Sequence, residues 1–321
     1  MRAIIAKDQQ PTFVHLPEPV PAADEVLVQV KATALNRADL LQVMGKYPPP
    51  PGAPHTLGLE LAGDVISVGE EVQNVSVGQR VMALVAGGAY AEQAVVKAAH
   101  VIPIPSGLTY EEAAAIPEAF LTAYSNMIEI GRLIENERVL IHAGASGVGL
   151  AAIQMAKVVG ATVIVTASRA KHAICVDAGA DMTIDYQTEN FADRILSTYT
   201  GVHLILEMIG APYWDDNMRV LENWGRLVFI GLQGGAVKQI HFGVIMQKRL
   251  SIMGSTLRNR TDAEKQQLIE NFTSWAMPQF LAGALKPNVW RVMPFDDVAA
   301  AHDLMRRNQN AGKIVLTLNQ S

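Results

Sequence analysis

Three glycines set the first chemical constraint. Residues 138–160 read RVLIHAGASGVGLAAIQMAKVVG. An apolar run, RVLIH, leads into Gly144, Gly147 and Gly149, and a stretch carrying Leu150, Ile153 and Val158 follows. Glycine lets the backbone turn tightly and lets an anion approach with no Cβ in the way. The free N–H groups and partial positive charge of a helix N-terminus then hold that anion. The spacing is G-x-x-G-x-G, not the literal dinucleotide fingerprint G-x-G-x-x-G, and glycines are common in ordinary strand-to-helix turns. Context separates the two readings. A strand before, a helix after and a run of further strand–helix units predict a pyrophosphate site.

Which dinucleotide would sit there follows from the next strand. About 20 residues on, an NAD site usually carries an acid that bonds the ribose 2′-hydroxyl. Here TVIVTASRAK supplies Ser168, Arg169 and Lys171 and no carboxylate. A solvated helix start would account for one basic residue. A hydroxyl, two cations and a missing acid together suit a 2′-phosphate, so the expected cofactor is NADPH.

Other chemistries lack their residues. Catalytic zinc needs three ligands drawn from His, Cys, Asp and Glu. Cys175 is the sole cysteine, no C-x-x-C exists, and the eight histidines are scattered without ligand spacing, so no metal is expected. No G-x-S-x-G elbow supports nucleophilic hydrolysis. A net charge of −5 argues against an extended nucleic-acid or anionic-membrane footprint. One cysteine excludes an intramolecular disulfide and fits a reducing compartment. No leader pattern opens the sequence, and no run reaches the roughly 20 apolar residues that span a bilayer. A cytoplasmic location is the expectation.

The elements that must position these residues change character along the chain. The first hundred residues read as β-rich. EVLVQVKATAL (25–35) alternates with period two, and short apolar segments recur at 61–68, 80–85, 90–96 and 101–104. A compact sandwich or partial barrel is expected, with a Pro-rich loop at 47–54. Residues 110–130 read as helical, with Thr109 as cap and Pro117 as a kink or break. Strand candidates follow at 138–142, 162–166, 182–184, 203–206, 226–230 and 250–253, most of them separated by helix-length segments. That alternation predicts a doubly wound parallel α/β sheet. The tail carries helices at 262–282 and 296–307 and a closing strand, GKIVLTL, and is too small to stand alone. It is expected to pack on the β-rich part, which makes the cofactor domain an insertion. The expected division is 1–118, 119–257 and 258–321.

Several segments in fixed order resemble one family: ALNRADLLQVMGKYPPPPGAP (34–54), GLELAGDVISVGEEV (58–72), AAAIPEAFLTAY (113–124), VLIHAGASGVGLAAIQMAK (139–157) and AGKIVLTL (311–318). The chain resembles the zinc-free, zeta-crystallin-like quinone oxidoreductases of the medium-chain dehydrogenases/reductases, over essentially its whole length. Within them it is most similar to the tumour-suppressor-inducible subgroup. The resemblance implies an α/β fold in which a Rossmann doubly wound parallel sheet is inserted in a GroES-like β-rich catalytic domain, and a homodimer. Zinc-dependent relatives carry Cys and His in the segments occupied here by Leu35–Asp39 and Gly58–Glu60, which read LNRAD and GLE.

Carried over by position, the resemblance assigns Asn36, Asp39, Tyr47 and Arg258 to the active site. It assigns Thr122, the turn Ala145, Ser146, Gly147 and Val148, Tyr186, Ile209, Gly210, Phe229, Gly231, Ser255, Leu257 and Lys313 to the cofactor. Ser168 and Lys171 match its 2′-phosphate clamp. Asn36 and Asp39 also suit a helix cap, Tyr47 a packing role, and His142 a hydrogen-bonded structural role. The implied activity is hydride transfer from NADPH to a quinone or related conjugated carbonyl, with Asn36, Tyr47 and Arg258 as donors to the developing oxyanion. Reduction of an enone or enoyl thioester makes nearly the same demands. A non-catalytic dinucleotide-binding or RNA-associated protein is the alternative from another class, and the acidic balance weighs against RNA.

Overall fold

The computed structural model describes residues 1–318. The chain forms two compact units, one of residues 122–256 and one of Met1–Leu121 together with the chain from Leu257 onward.

In the continuous unit, six strands lie in the order Met182–Asp185, Thr162–Ala167, Arg138–Ile141, Val202–Glu207, Leu221–Phe229, Ser251–Gly254. Every pairing is parallel. Such a sheet is covered on both faces, so its strands read as near-continuous apolar runs. Val139, Leu140, Ile141, Val163, Ile164 and Val165 are all fully buried. From the central strand Arg138–Ile141 the chain winds outward one way and then, from Val202, the other. The order therefore reverses between Arg138–Ile141 and Val202–Glu207, the switch point where such sheets bind ligands beyond their carboxyl ends. One strand begins earlier than its apolar signal at 226–230. Leu221 already pairs with Val202, and a kink at Trp224, with φ of 66°, interrupts the ladder.

The split unit holds a seven-stranded sheet. Its path runs Val289–Pro294, Lys313–Thr317, Glu25–Ala34, Glu60–Val68, Arg80–Leu84, Val101–Pro103, and Gln93–Lys97 also pairs with Glu25–Ala34. The ten-residue strand Glu25–Ala34 is the hub. Gln93–Lys97 meets its first half, Lys313–Thr317 meets its last three residues, and both pairings are antiparallel. The strand expected at 90–96 starts later because Tyr90 turns into the core and Ala91 bridges to Ala3. Two elements left no sequence signal strong enough to read. They are the hairpin Arg2–Lys7/Gln10–His15, turned by Asp8 and Gln9 at positive φ, and the edge strand Val289–Pro294.

The helical stretch 110–130 breaks where proline requires. Tyr110–Ala114 is closed at its start by a reciprocal cap between Thr109 and Glu112. Pro117 then opens a second helix, Pro117–Tyr124, where its missing N–H costs nothing, and a π-helical turn, Ser125–Ile130, follows. The tail helices are Asp262–Leu281 and Val298–Arg306.

His302, on the last of these helices, is fully buried 6.1 Å from the Tyr90 ring, and neither ring nitrogen has a hydrogen-bond partner among the described residues. Burial pushes its imidazole down to about 4. The folded state then refuses a proton that the unfolded chain accepts near pH 6.5. The resulting stability is whole above pH 6.5 and is lost as pH falls toward 4. Each pKa unit corresponds to about 1.4 kcal/mol, so the loss by pH 4.5 is about 2–3 kcal/mol. In urea unfolding at pH 7 and 4.5, His302→Leu should shrink the difference between the two pH values by that amount. An unchanged difference would mean that His302 is protonated in the fold.

Candidate functional site

The glycine turn forms as its spacing requires. After the strand Arg138–Ile141, Ala143 takes a φ of 50°, and Ser146 caps the helix Gly147–Val159 by accepting a hydrogen bond from the Gly149 N–H at 3.0 Å. A Cβ on Gly149 would stand 2.5 Å from the carbonyl oxygens of both Ala143 and Gly144, and one on Gly144 would stand 2.7 Å from Val165 Cβ. These two glycines make the turn itself. With Ser146 turned back onto Gly149, the N–H groups of Gly147 and Val148 have no acceptor among the described residues. A 13-residue helix thus presents free donors and its positive end at the switch point.

The neighbouring strand ends supply the other expected contacts. Ser168 and Arg169 follow directly on Thr162–Ala167, with Arg169 exposed and Ser168 and Lys171 half-buried. Tyr186, after Met182–Asp185, is exposed. Ile209 and Gly210 follow Val202–Glu207, and their loop is laced to residues 233–235, with Gly234 N–H donating to Ile209 O at 2.7 Å and Ala211 N–H to Gly235 O at 2.9 Å. Gly231 lies beyond Phe229, where an added Cβ would reach only ordinary contact distance of Met208. Ser255 donates to Asn126 Oδ1 at 2.5 Å, and Asn126 in turn donates to Thr122 O at 2.8 Å. The Thr122 hydroxyl is buried with no partner among the described residues. That orphaned hydroxyl, the two unused amides and the Cβ-free turn fit a dinucleotide. Leu257 belongs to the split unit.

A buried network, unread in the sequence, fixes this platform from beneath. Glu207, fully buried, accepts from the Ile209 N–H, from the Gly210 N–H at 3.0 Å and from Asn217 Nδ2. His142 bonds Thr166 Oγ1 at 3.0 Å and Asn217 Oδ1 at 2.9 Å, and burial pushes its pKa down. His142 therefore has the structural role its strand-end position suggested. The signal for Glu207 was an acid closing an otherwise apolar strand, which burial permits only with several donors. Cys175 is buried as well, which pushes its thiol up to about 11 and leaves it inert.

In the split unit the expected active-site residues fall into two joined clusters. The first is built on Lys313 and Glu60, 4% and 0% exposed. Lys313 Nζ donates to Leu35 O at 2.7 Å, Asn36 Oδ1 at 2.7 Å and Glu60 Oε1 at 2.6 Å. Asn36 Nδ2 also donates to Glu60 Oε1, at 2.8 Å, while Asp39 caps the helix Arg37–Val43 by accepting from the Asn36 N–H at 2.7 Å and from Tyr90 Oη at 3.1 Å. Asp39 is fully buried, and burial raises its carboxyl to about 6.

In the second cluster Arg258, 5% exposed, donates to Ala86 O at 2.8 Å, Tyr47 O at 3.2 Å and Gln42 Oε1 at 2.8 Å, and its guanidinium lies 5.2 Å from the Tyr47 ring centroid. Lys313 thus spends all three N–H groups inside the fold, and Arg258 uses three of its five N–H groups on Ala86, Tyr47 and Gln42.

Among the described residues no group of three or more His, Cys, Asp or Glu side chains could hold a metal ion, and no helix is long and apolar enough to cross a membrane.

Comparison with known proteins agrees with this architecture. Residues 22–106 match the alcohol dehydrogenase GroES-like domain family, and residues 147–274 match the family described as zinc-binding dehydrogenase. Among the described residues no ligand group for the zinc of that description is found; Glu60 is matched by the Lys313 ammonium and Asp39 caps a helix. A synaptic vesicle membrane protein VAT-1 homolog of Danio rerio is 32% identical over 94% of this chain, which spans 65% of that longer relative. The quinone oxidoreductase of Mus musculus is 30% identical, with 94% of this chain and 91% of the relative aligned. Among solved structures, the quinone oxidoreductase of Escherichia coli complexed with NADPH superposes with a TM-score of 0.89 at 28% identity, covering 99% of both chains. The CurK enoyl reductase superposes with a TM-score of 0.87 at 28% identity, again covering 99% of each. Two domain families in order, near-complete coverage and the glycine turn at the switch point agree: the chain belongs to the medium-chain dehydrogenase/reductase superfamily, as an oxidoreductase of its quinone oxidoreductase branch.

Proposed function

We propose that this protein is an NADPH-dependent reductase that passes hydride to quinones or related conjugated carbonyl compounds, acting as a cytoplasmic homodimer. The observation that carries the cofactor choice is the end of the strand Thr162–Ala167, where Ser168, Arg169 and Lys171 stand with no carboxylate among them. Glycine-turn amides at Gly147 and Val148 would take the pyrophosphate, and the Thr122 hydroxyl would find its missing partner in the same ligand. Bound NADPH supplies the hydride. The chain supplies donors for the charge that then grows on the acceptor oxygen.

Among the residues expected at the active site, Tyr47 is the donor; the Asn36 amide already donates to Glu60 Oε1 at 2.8 Å and to Ala34 O at 3.3 Å. Asn36 is held rigidly by Lys313 and Glu60, and Tyr47 is held by Arg258. Burial raises the Tyr47 phenol above its ordinary range, so it stays protonated at neutral pH. Asp39 acts as the cap that orients Asn36. Loss of one such donor typically lowers turnover by about 10²–10³.

Steady-state kinetics with both cofactors test this reading. The expected result is a KM for NADPH at least tenfold below that for NADH. Replacing Arg169 and Lys171 by alanine should raise the NADPH KM by about 10–100-fold, the worth of one or two charge-assisted bonds, while leaving NADH nearly untouched. Equal use of NADH by the wild-type enzyme sinks the assignment. Similarity to an enoyl reductase favours a second reading, reduction of an enone or enoyl thioester. A panel pairing quinones with an enoyl-CoA separates the two by kcat/KM.

A further inference from the structure

Asn126 is a polar residue in an apolar setting. It lies in the π-helical turn Ser125–Ile130 at 3% exposure, next to the fully buried Met127. An apolar side chain would fill that place with no amide to desolvate. A buried amide is stable only where both of its polar ends are paired, and here both are. Asn126 Nδ2 donates to Thr122 O at 2.8 Å, and Asn126 Oδ1 accepts from Ser255 Oγ at 2.5 Å. The wide turn fixes the residue's backbone as well, since the Gly131 N–H reaches back five residues to Asn126 O at 3.0 Å.

These bonds have a fixed polarity. A backbone carbonyl can only accept, so the NH2 end of Asn126 must face Thr122 O. Its oxygen end must then face Ser255, and the single proton of the Ser255 hydroxyl must point at it. Ser255 is left with lone pairs and no proton to give. Thr122 is left the other way round. A threonine hydroxyl inside a helix can bond a carbonyl one turn back, yet Thr122 Oγ1 is buried with no partner among the described residues, so its proton is unspent. One amide thus joins a hydroxyl set to accept to a residue whose hydroxyl is free to donate.

We propose that Asn126 is a positioning residue that sets Ser255 to accept and leaves Thr122 to donate, a pair matched to the primary carboxamide of a nicotinamide ring. Such a carboxamide offers one carbonyl oxygen and one NH2 group, the complement of that pair. The inference rests on the nicotinamide dinucleotide reading above. Ser255 is half-buried and directly follows the strand Ser251–Gly254, at the carboxyl end of the parallel sheet, where such sheets bind ligands. Asn126 itself touches no ligand and acts through its two neighbours.

Calorimetric titration of the full chain tests this with three ligands. They are NADP⁺, its 3-acetylpyridine analogue, in which a methyl replaces the NH2 group, and 2′,5′-ADP, which lacks the ring. Wild type should bind NADP⁺ about 3–10-fold more tightly than the analogue, the worth of one hydrogen bond, because the methyl cannot donate to Ser255. Ser255→Ala should erase that ratio. Thr122→Val should weaken both dinucleotides alike and keep the ratio, because both carry the carbonyl. Asn126→Leu lets the Ser255 hydroxyl turn, so the ratio should fall toward one while 2′,5′-ADP binds as to wild type. Asn126→Asp, which keeps an acceptor for Ser255, should retain most of the ratio.

A wild-type ratio in Asn126→Leu overturns the inference. So does an equal loss for all three ligands, the mark of a residue that only supports the fold. Should Asn126→Leu fail to fold, the other variants decide: a ratio lost in Thr122→Val and kept in Ser255→Ala reverses the polarity and refutes the assignment. The same ratio measured with NAD⁺ and its acetyl analogue separates this inference from the cofactor choice. A preference there, with no binding of 2′,5′-ADP, sinks the NADPH assignment and supports the carboxamide site. Binding of 2′,5′-ADP with no preference in either pair sinks the carboxamide site alone.

Discussion

Replacing Lys313 by methionine is expected to cost about 3–5 kcal/mol of stability. The ammonium is 4% exposed and makes all three of its bonds internally, while the Glu60 carboxylate beneath it has no exposed surface. Methionine fills the space and strands the carboxylate. Pairing the change with Glu60→Gln should recover much of the loss, because neither charge is then left alone in a dry place. Urea unfolding of the two single variants and the double variant at pH 7 measures this coupling. A double variant as unstable as the sum of the singles would show that Lys313 works by packing alone.

Gly149→Ala carries the second large effect. The added methyl would lie 2.5 Å from two backbone carbonyl oxygens, and backbone cannot rotate aside as a side chain can. The turn must open. Overpacking of this kind costs about 1–3 kcal/mol. Displacing Gly147 and Val148 also loses two charge-assisted bonds to a pyrophosphate, so NADPH should bind at least about 100-fold more weakly. Fluorescence titration with NADPH and a thermal melt give both numbers. An alanine variant that binds the cofactor normally would place the pyrophosphate elsewhere.

The readable parts of this chain were those whose physics is local. The strand RVLIH, the turn and the helix after it declare themselves because glycine spacing and apolar periodicity act within a dozen residues. The cap Thr109–Glu112 and the break at Pro117 are legible for the same reason. The clusters were harder. Glu60 lies in LGLELAG and Lys313 in GKIVLTL, each a lone charge in an apolar strand. Either one signals a buried partner, but 253 positions separate them and no local rule pairs the two. His302 is silent in sequence for the same reason: its state depends on what other segments fail to offer it.

The placement of the strand Lys313–Thr317 has a bearing on biogenesis. It contacts Ala32–Ala34 on one side and Val289–Pro294 on the other, so that edge of an early strand stays bare until residues 313–317 have been made. The strands of the continuous unit are all made by Gly254, whereas the split unit waits for residues 289–317. During that interval the nascent chain carries an open apolar edge with Glu60 uncompensated, a state that holdase chaperones recognise.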